Sequence, residues 1–353
     1  MIRTMLAPFQ SQPYAPRQLE AVIAEHDPAE LVQALIQQGL APLWSDFIDS
    51  KATDLQVGEQ IGHELHRRRM AFTALYMLQK RSAAHVCRCL SDAQIPCALF
   101  KGIAQRERLF DSPSARPARD VDILIAPEHR ETAIRALLES GLRFQGSRKD
   151  ISHEAVLLDG TVIVDLHWNL FRPGRCRVEL ASMLLDRIKL DGAMSALDDD
   201  ANLLVMLVHP AFAKHVNGRL STLIRVVELD RMLRSTTPDW EWILAAIDQA
   251  GVRTAAWAVL YWTRKLMGSP IDASVIDRLT PGTLHAQYLA LWIDHGLTQR
   301  LDRVPGLLQF GFSLALHDRL GDAARAAARV VKTRLDSRRT FADLVDAISV
   351  ERP

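Results

Sequence analysis

The sequence predicts an α+β protein: a small mixed sheet with helices on it, flanked by all-helical regions on its N- and C-terminal sides. Three observations predict it. Apolar residues recur at spacings of three and four through most of the first 94 residues and again from about 199 onward, the period of helices that bury one face. Between these regions, residues 95–168 break into short apolar runs, IPCALF, DVDILI and EAVLLDGTVIVD, with the length and alternation of strands. Each run also ends in groups that packing does not need: Lys101 with Gly102, Asp120 with Asp122, and Asp165 with His167. The expected units are a helical region at 1–94, a core at 95–195 and a helical domain at 196–353.

At 353 residues the chain can bury a substantial core divided among two or three units. Its 43 basic and 42 acidic side chains leave a formal net charge of +1. No global attraction to nucleic acid or an anionic membrane follows, so any such binding must come from a local patch. Apolar residues at 48% and charged residues at 24% match a globular protein. Cys87, Cys89, Cys97 and Cys176 fit no zinc spacing and no disulfide framework, and read as free buried thiols. No apolar run approaches the roughly 18 residues a membrane helix needs, and the first residues lack the apolar stretch of a secretion signal. The expectation is a cytoplasmic protein with no membrane partner.

In chain order, Pro8, Pro13 and Pro16 mark an irregular lead-in. LEAVIAEH, AELVQALIQQGLAPLWSDFI and the segment from Gly58 to about Ala93 then read as helices, the last with Met70, Leu75, Leu78 and Val86 as its buried stripe. His63-Glu64-Leu65-His66 lacks the H-E-x-x-H spacing of zinc proteases and reads as helix surface. Arg67, Arg68 and Arg69 spread round the helix and read as solvated.

The strand PCALF runs into Lys101-Gly102 and a helical pattern, IAQRERLF, an arrangement that aims backbone N–H groups at a phosphate. A plain strand-to-helix turn with a solvated lysine is the bland alternative. In RDVDILI, alternation puts Asp120 and Asp122 on one face and Val121, Ile123 and Ile125 on the other. Two such carboxylates repel unless a cation sits between them. Phosphoryl-transfer enzymes answer with two magnesium ions roughly 3.5 to 4 Å apart, bridged by carboxylates. Pro127 opens the amphipathic EHRETAIRALLES and Gly141 ends it. Asp159-Gly160 then marks a two-residue hairpin whose expected register pairs Leu158 with Thr161, Glu154 with Asp165 and His153 with Leu166. Beside the Asp120 strand, that hairpin would make Asp165 a third carboxylate at the same sheet end.

Arg172, Pro173 and Gly174 mark a loop, and Asp198, Asp199 and Asp200 read as the cap and first turn of the next helix. Pro210 interrupts that helix's apolar run before Lys214-His215. Near the end, Arg325, Arg329 and Lys332 share a helix face opposite Leu320, Ala324, Ala327 and Val331. It is either a solvated basic face or a docking surface for RNA or an acidic partner.

The order L-x-K-G, R-P-x-x-D-x-D and D-hydrophobic-H-W, here Leu99, Lys101, Gly102, Arg116, Pro117, Asp120, Asp122, Asp165, His167 and Trp168, resembles a poorly characterised nucleotidyltransferase family of the polymerase-beta-like superfamily. The resemblance begins upstream with a G-x-x-P-L element, Gly39 to Leu43, and continues through His209, Lys214, His215, Arg225 and Asp230. The superfamily's usual Gly-Ser is replaced here by Lys101-Gly102, which alters how a triphosphate would be gripped.

The resemblance implies a metal-dependent nucleotidyltransferase. It would move a nucleoside monophosphate from a nucleoside triphosphate, ATP among them, to a hydroxyl or similar acceptor and release pyrophosphate, with Mg2+ or Mn2+ as cofactor. Asp120 and Asp122 would bridge the metals. Asp165 would complete the one nearest the acceptor and help take its proton. Lys101, the Gly102 backbone, and Arg116 or Arg119 would face the triphosphate. Lys214 would close the cleft, unless it is simply solvated. His167 would orient substrate or pack beside Trp168. A peptide or small molecule is the favoured acceptor. The alternatives are a catalytically quiet nucleotide- or partner-binding protein, and a toxin-like transferase acting on RNA.

Overall fold

The computed structural model describes residues 1–51, 58–145, 153–172, 174–191, 194–212, 222–295, 306–325 and 328. Helices α1 (Ile2–Leu6), α2 (Pro16–Ala24), α3 (Pro28–Gln37), α4 (Ala41–Lys51) and α5 (Glu59–Asp92) precede a sheet of strands β1 (Cys97–Leu99), β2 (Asp120–Ile125), β3 (Arg143–Phe144), β4 (Glu154–Asp159), β5 (Val162–His167), β6 (Ile188–Asp191) and β7 (Met194–Leu197). Within that stretch lie α6 (Lys101–Leu109), α7 (Arg130–Glu139) and α8 (Leu180–Leu185). After it come α9 (Asp199–Phe212), α10 (Thr222–Ser235), α11 (Trp240–Ala250), α12 (Arg253–Met267), α13 (Ala273–Leu279), α14 (Thr283–Asp294) and α15 (Gly306–Ala315).

The strand order is β3-β4-β5-β2-β1-β7-β6. β2 runs parallel to β5 and antiparallel to β1, and β1 runs parallel to β7, so the sheet is mixed. The β6–β7 hairpin extends it beyond what the sequence pattern announces, because IKLD and MSAL are too short and mixed to stand out as strands.

Alternation along the strands gives the sheet two different coats. Val121, Ile123, Val164 and Leu166 pack against Val86 and Leu90 of α5 and Ile134 and Leu137 of α7. On the other face Ala98, Phe100 and Leu124 join a larger cluster with Leu204, Val227 and Ala256 of the C-terminal helices and Leu35 and Trp44 of the N-terminal ones. Each such side chain contributes about 1.5–3 kcal/mol when fully buried. The acids lie on this second face, where helices from both ends of the chain converge.

Three expectations need correction. The lead-in before Pro16 is not irregular throughout: Ile2–Leu6 is helical, and Met5, Leu6 and Ala7 are buried in the larger apolar cluster. The hairpin loop is Gly160-Thr161, with Asp159 opposite Val162, so Glu154 faces His167 and Asp165 faces Val156. Gly160 at φ +63° takes the first loop position, as glycine does in a type II′ turn. The register therefore slips by two residues, which preserves the face of every side chain but removes the acid expected opposite Asp165. In α5, Val86 is buried, but Met70 and Leu78 are 51% and 48% exposed. A helix of 34 residues is about 50 Å long and outruns any single surface. Its first turns pack Ile61 and Leu65 against the N-terminal helices, its last turns pack on the sheet, and the middle crosses between.

The acidic triplet behaves as a helix start: the Ala201 amide donates to Asp198 Oδ1 at 2.9 Å. All four cysteines are free, with Cys87 and Cys97 buried and Cys89 and Cys176 half-buried. Near the C-terminus Leu320 and Ala324 are exposed and Arg325 pairs with Asp322. Arg329, Lys332, Ala327 and Val331 lie outside the described residues, as do Lys214 and His215. Among the described residues no helix is long and apolar enough to cross a membrane.

Candidate active site

The parallel register of β2 and β5 puts Asp122 beside Asp165 and Leu124 beside His167. Asp120, two residues before Asp122, shares their face. The three acids thus come together on one side of the sheet, opposite the side that packs its apolar cluster against α5 and α7.

Asp122 is 4% exposed and does not lack a cation. Lys101 Nζ donates to its Oδ1 at 2.8 Å, and His167 Nε2 lies 3.0 Å from the same oxygen. The lysine and imidazole nitrogens are 3.3 Å apart. Burial alone would raise the Asp122 carboxyl, but Lys101 and His167 more than reverse it and hold the group well below the usual range.

Asp165 is driven the other way. Burial, then the neighbouring charges of Asp122, Asp120 and Glu154, push its carboxyl up to about 8. Its Oδ1 is buried without a hydrogen-bond partner, an arrangement that costs about 1–3 kcal/mol. Burial and Asp122 also raise Asp120, against the pull of Lys101, Arg225 and Arg116.

Lys101 reaches this cluster at a conformational cost. It is the first residue of α6 with φ +56°, the left-handed region where a side chain costs about 1–2 kcal/mol. Its ammonium also lies 4.6 Å from the Phe100 ring centroid. Gly102 is required for a different close approach than a phosphate: a Cβ there would sit 2.5 Å from Arg116 Nη1. Arg116 is itself committed, donating from Nε and Nη2 to the two carboxylate oxygens of Glu228 on α10 at 2.7 and 3.1 Å. Arg119 is exposed and lines a cavity beside Asp120. Lys214, expected over the cleft, is outside the described residues.

His167 is 2% exposed and packs edge-on against Phe100 at 5.1 Å, whereas Trp168 belongs to the opposite apolar cluster. On the far side of the imidazole, Glu154 Oε2 lies 3.2 Å from Nδ1, out of line for a hydrogen bond, and 3.5 Å from His153 Nε2. Sequence reasoning missed this role for Glu154, because the two-residue register slip is what brings it to His167. Glu228 gave no signal at all, lying more than one hundred residues from its arginine.

Among the described residues, ligand atoms of Asp122, Asp165 and His167 all lie within 4.8 Å of one another, as do those of His153, Glu154 and His167. The donor set fits a divalent cation: two carboxylates meet a hard ion's preference for oxygen, an imidazole admits a transition metal, and the orphaned Asp165 Oδ1 lacks the partner that an ion would supply.

The profile of a family described as an uncharacterised nucleotidyltransferase matches residues 24–268, well over half of the chain and all of the residues above. No curated protein matches the chain.

Proposed function

Because the chain belongs to this uncharacterised nucleotidyltransferase family, within the polymerase-beta-like superfamily, we propose that it transfers a nucleoside monophosphate from a nucleoside triphosphate to an acceptor hydroxyl. The acceptor oxygen forms a bond to the α-phosphorus, the bond from that phosphorus to the bridging oxygen breaks, and pyrophosphate leaves. The observation that carries this reading is the in-register pair Asp122 and Asp165, with Asp120 on the same face of the sheet.

A divalent ion, Mg2+ or Mn2+, held by Asp120, Asp122 and Asp165 would acidify the acceptor hydroxyl and offset charge on the leaving pyrophosphate. Burial and the neighbouring acids raise Asp165 when no ion is bound; an ion at the site would favour its ionised form, which would help take the acceptor's proton. Lys101 already supplies positive charge at Asp122, and moves its ammonium to the triphosphate when the carboxylate is otherwise neutralised. His167, held between Asp122 and Glu154, keeps the Asp122 oxygen in place. Arg119 and the start of α6 flank the phosphates, and a peptide or small molecule is the acceptor.

One observation favours a second reading. A buried Lys101–Asp122 pair satisfies that carboxylate without any metal, as a quiet nucleotide-binding protein of the same fold would need. Incubation with each labelled triphosphate and Mg2+ or Mn2+, over a panel of peptide, small-molecule and RNA acceptors, decides between them. Labelled product that disappears in Asp165→Asn, with the fold retained, supports the transferase; nucleotide binding with no product under any condition supports the quiet protein.

A further inference from the structure

A cavity of about 240 Å³ opens beside Asp120, and of its lining residues only Asp120 and Arg119 enter the roles proposed above. Its walls come from four separated parts of the chain. Ile36 precedes the G-x-x-P-L element and Pro42 belongs to it, Phe72 projects from the middle of α5, and Ile224 comes from the start of α10. These make an apolar body. Arg68, Arg116, Arg119 and Arg225 add four guanidiniums to the same lining.

Their charge is not cancelled internally. Glu228 is shared by Arg116 and Arg225, whose Nη1 lies 3.2 Å from it, so one carboxylate serves two guanidiniums. Glu64 is likewise shared by Arg67 and Arg68. Arg119 is exposed. Among the lining residues Asp120 is the one acid. Arg225 Nε is, in addition, buried with no hydrogen-bond partner, a donor whose unmade bond costs about 1–3 kcal/mol. A positive, partly apolar cavity with an unused buried donor beside a candidate catalytic acid is built for an anion on an apolar body.

We propose that this cavity binds the part of a substrate that joins a carboxylate or phosphate to an apolar or aromatic group, with Arg225 and Arg119 holding the oxyanion and Pro42 and Phe72 holding the body. As a statement about substrate it rests on the transferase reading. The oxyanion has two sources, the nucleotide itself or a carboxylate-bearing acceptor.

The test is equilibrium binding by calorimetry to the full chain without divalent ions, where no turnover is required. Three probes are used: inorganic pyrophosphate, a non-hydrolysable ATP analogue and N-acetyl-phenylalanine. At least one should bind the parent, and Arg119→Gln and Arg225→Gln should each weaken it about tenfold, the loss of one charge-assisted hydrogen bond. Stronger binding of the ATP analogue than of pyrophosphate assigns the cavity to the nucleotide; preference for N-acetyl-phenylalanine assigns it to the acceptor. Both support the site. If Arg225→Gln melts early through loss of its Glu228 contact, the exposed Arg119→Gln decides alone. Affinities unchanged by the variants, or no binding of any probe up to about 10 mM, overturn the inference. Probe binding with no transfer of labelled nucleotide would remove the transferase reading and leave the cavity's chemistry standing.

Discussion

Asp122 and Asp165 sit side by side on neighbouring strands, and their surroundings drive them apart. Asp122 has a cation against it and Asp165 has an orphaned oxygen. Replacing each by asparagine should therefore have opposite effects on the metal-free protein. Asp122→Asn strands the buried Lys101 ammonium and should destabilise by roughly 3–5 kcal/mol, the cost of breaking a buried pair, read by urea unfolding. A carboxyl that ionises near pH 8 when folded and near pH 4 when unfolded binds its proton more tightly in the folded chain. Its contribution to stability is complete below about pH 4 and is lost as pH rises to about 8. Asp165→Asn should erase that slope: equal melting temperatures at pH 4, and a variant more stable at pH 8 by up to about 5 kcal/mol, the linkage of a carboxyl moved from about 4 to about 8. A variant less stable than its parent at pH 8 would contradict the assigned environment. Both variants should lose nucleotidyl transfer, so stability and activity separate at Asp165.

At the scale of an element, the start of α6 concentrates two constraints in consecutive residues. Lys101 holds φ +56°, so Lys101→Gly should be more stable than Lys101→Ala by about 1 kcal/mol, since both delete the ammonium and only glycine relieves the backbone. Equal stability of the two variants would show that the turn relaxes. Gly102→Ala would drive a methyl into Arg116 Nη1. A guanidinium at the end of a flexible side chain could give way, but this one is pinned on both sides, by Glu228 and by the Pro117 carbonyl. The expected cost is about 1–3 kcal/mol, with weaker probe binding in the neighbouring cavity.

For the whole molecule, the Arg116–Glu228 pair joins the loop before β2 to α10 beside the larger apolar cluster. Burial by itself would raise the Glu228 carboxyl, but Arg116 and Arg225 hold it below its usual range. Glu228→Gln leaves two guanidiniums facing a neutral group and should destabilise by roughly 3–5 kcal/mol. Arg116→Met with Glu228→Leu should recover part of that loss, because the fully buried guanidinium leaves with the carboxylate and only the more exposed Arg225 stays behind. If the double variant is no more stable than Glu228→Gln, the pair is not a unit. The larger apolar cluster runs from Met5 to Leu316, so unfolding followed by tryptophan fluorescence and by circular dichroism should coincide in the parent.

What the sequence determined by itself is what depends on neighbours in the chain. The two-residue period of a strand places Asp120 and Asp122 on one face whatever lies across from them, and the same period carries Asp165 and His167 together; a register slip of two residues left that face unchanged. Helical periodicity marked α5 from end to end and the acidic triplet as a helix start. Its buried stripe was misread because the pattern does not say where along its length a helix is covered. Only the tertiary structure decided what each charge meets. The cation at Asp122 is a lysine from the next strand's end, Glu154 serves His167 and not Asp165, and the arginine of the R-P motif is held by Glu228. The cavity of arginines draws on residues from Ile36 to Arg225. Such pairings join positions from 13 to more than a hundred residues apart, and no local period records them. They are set when buried charges must find partners in a core that leaves few places to put them.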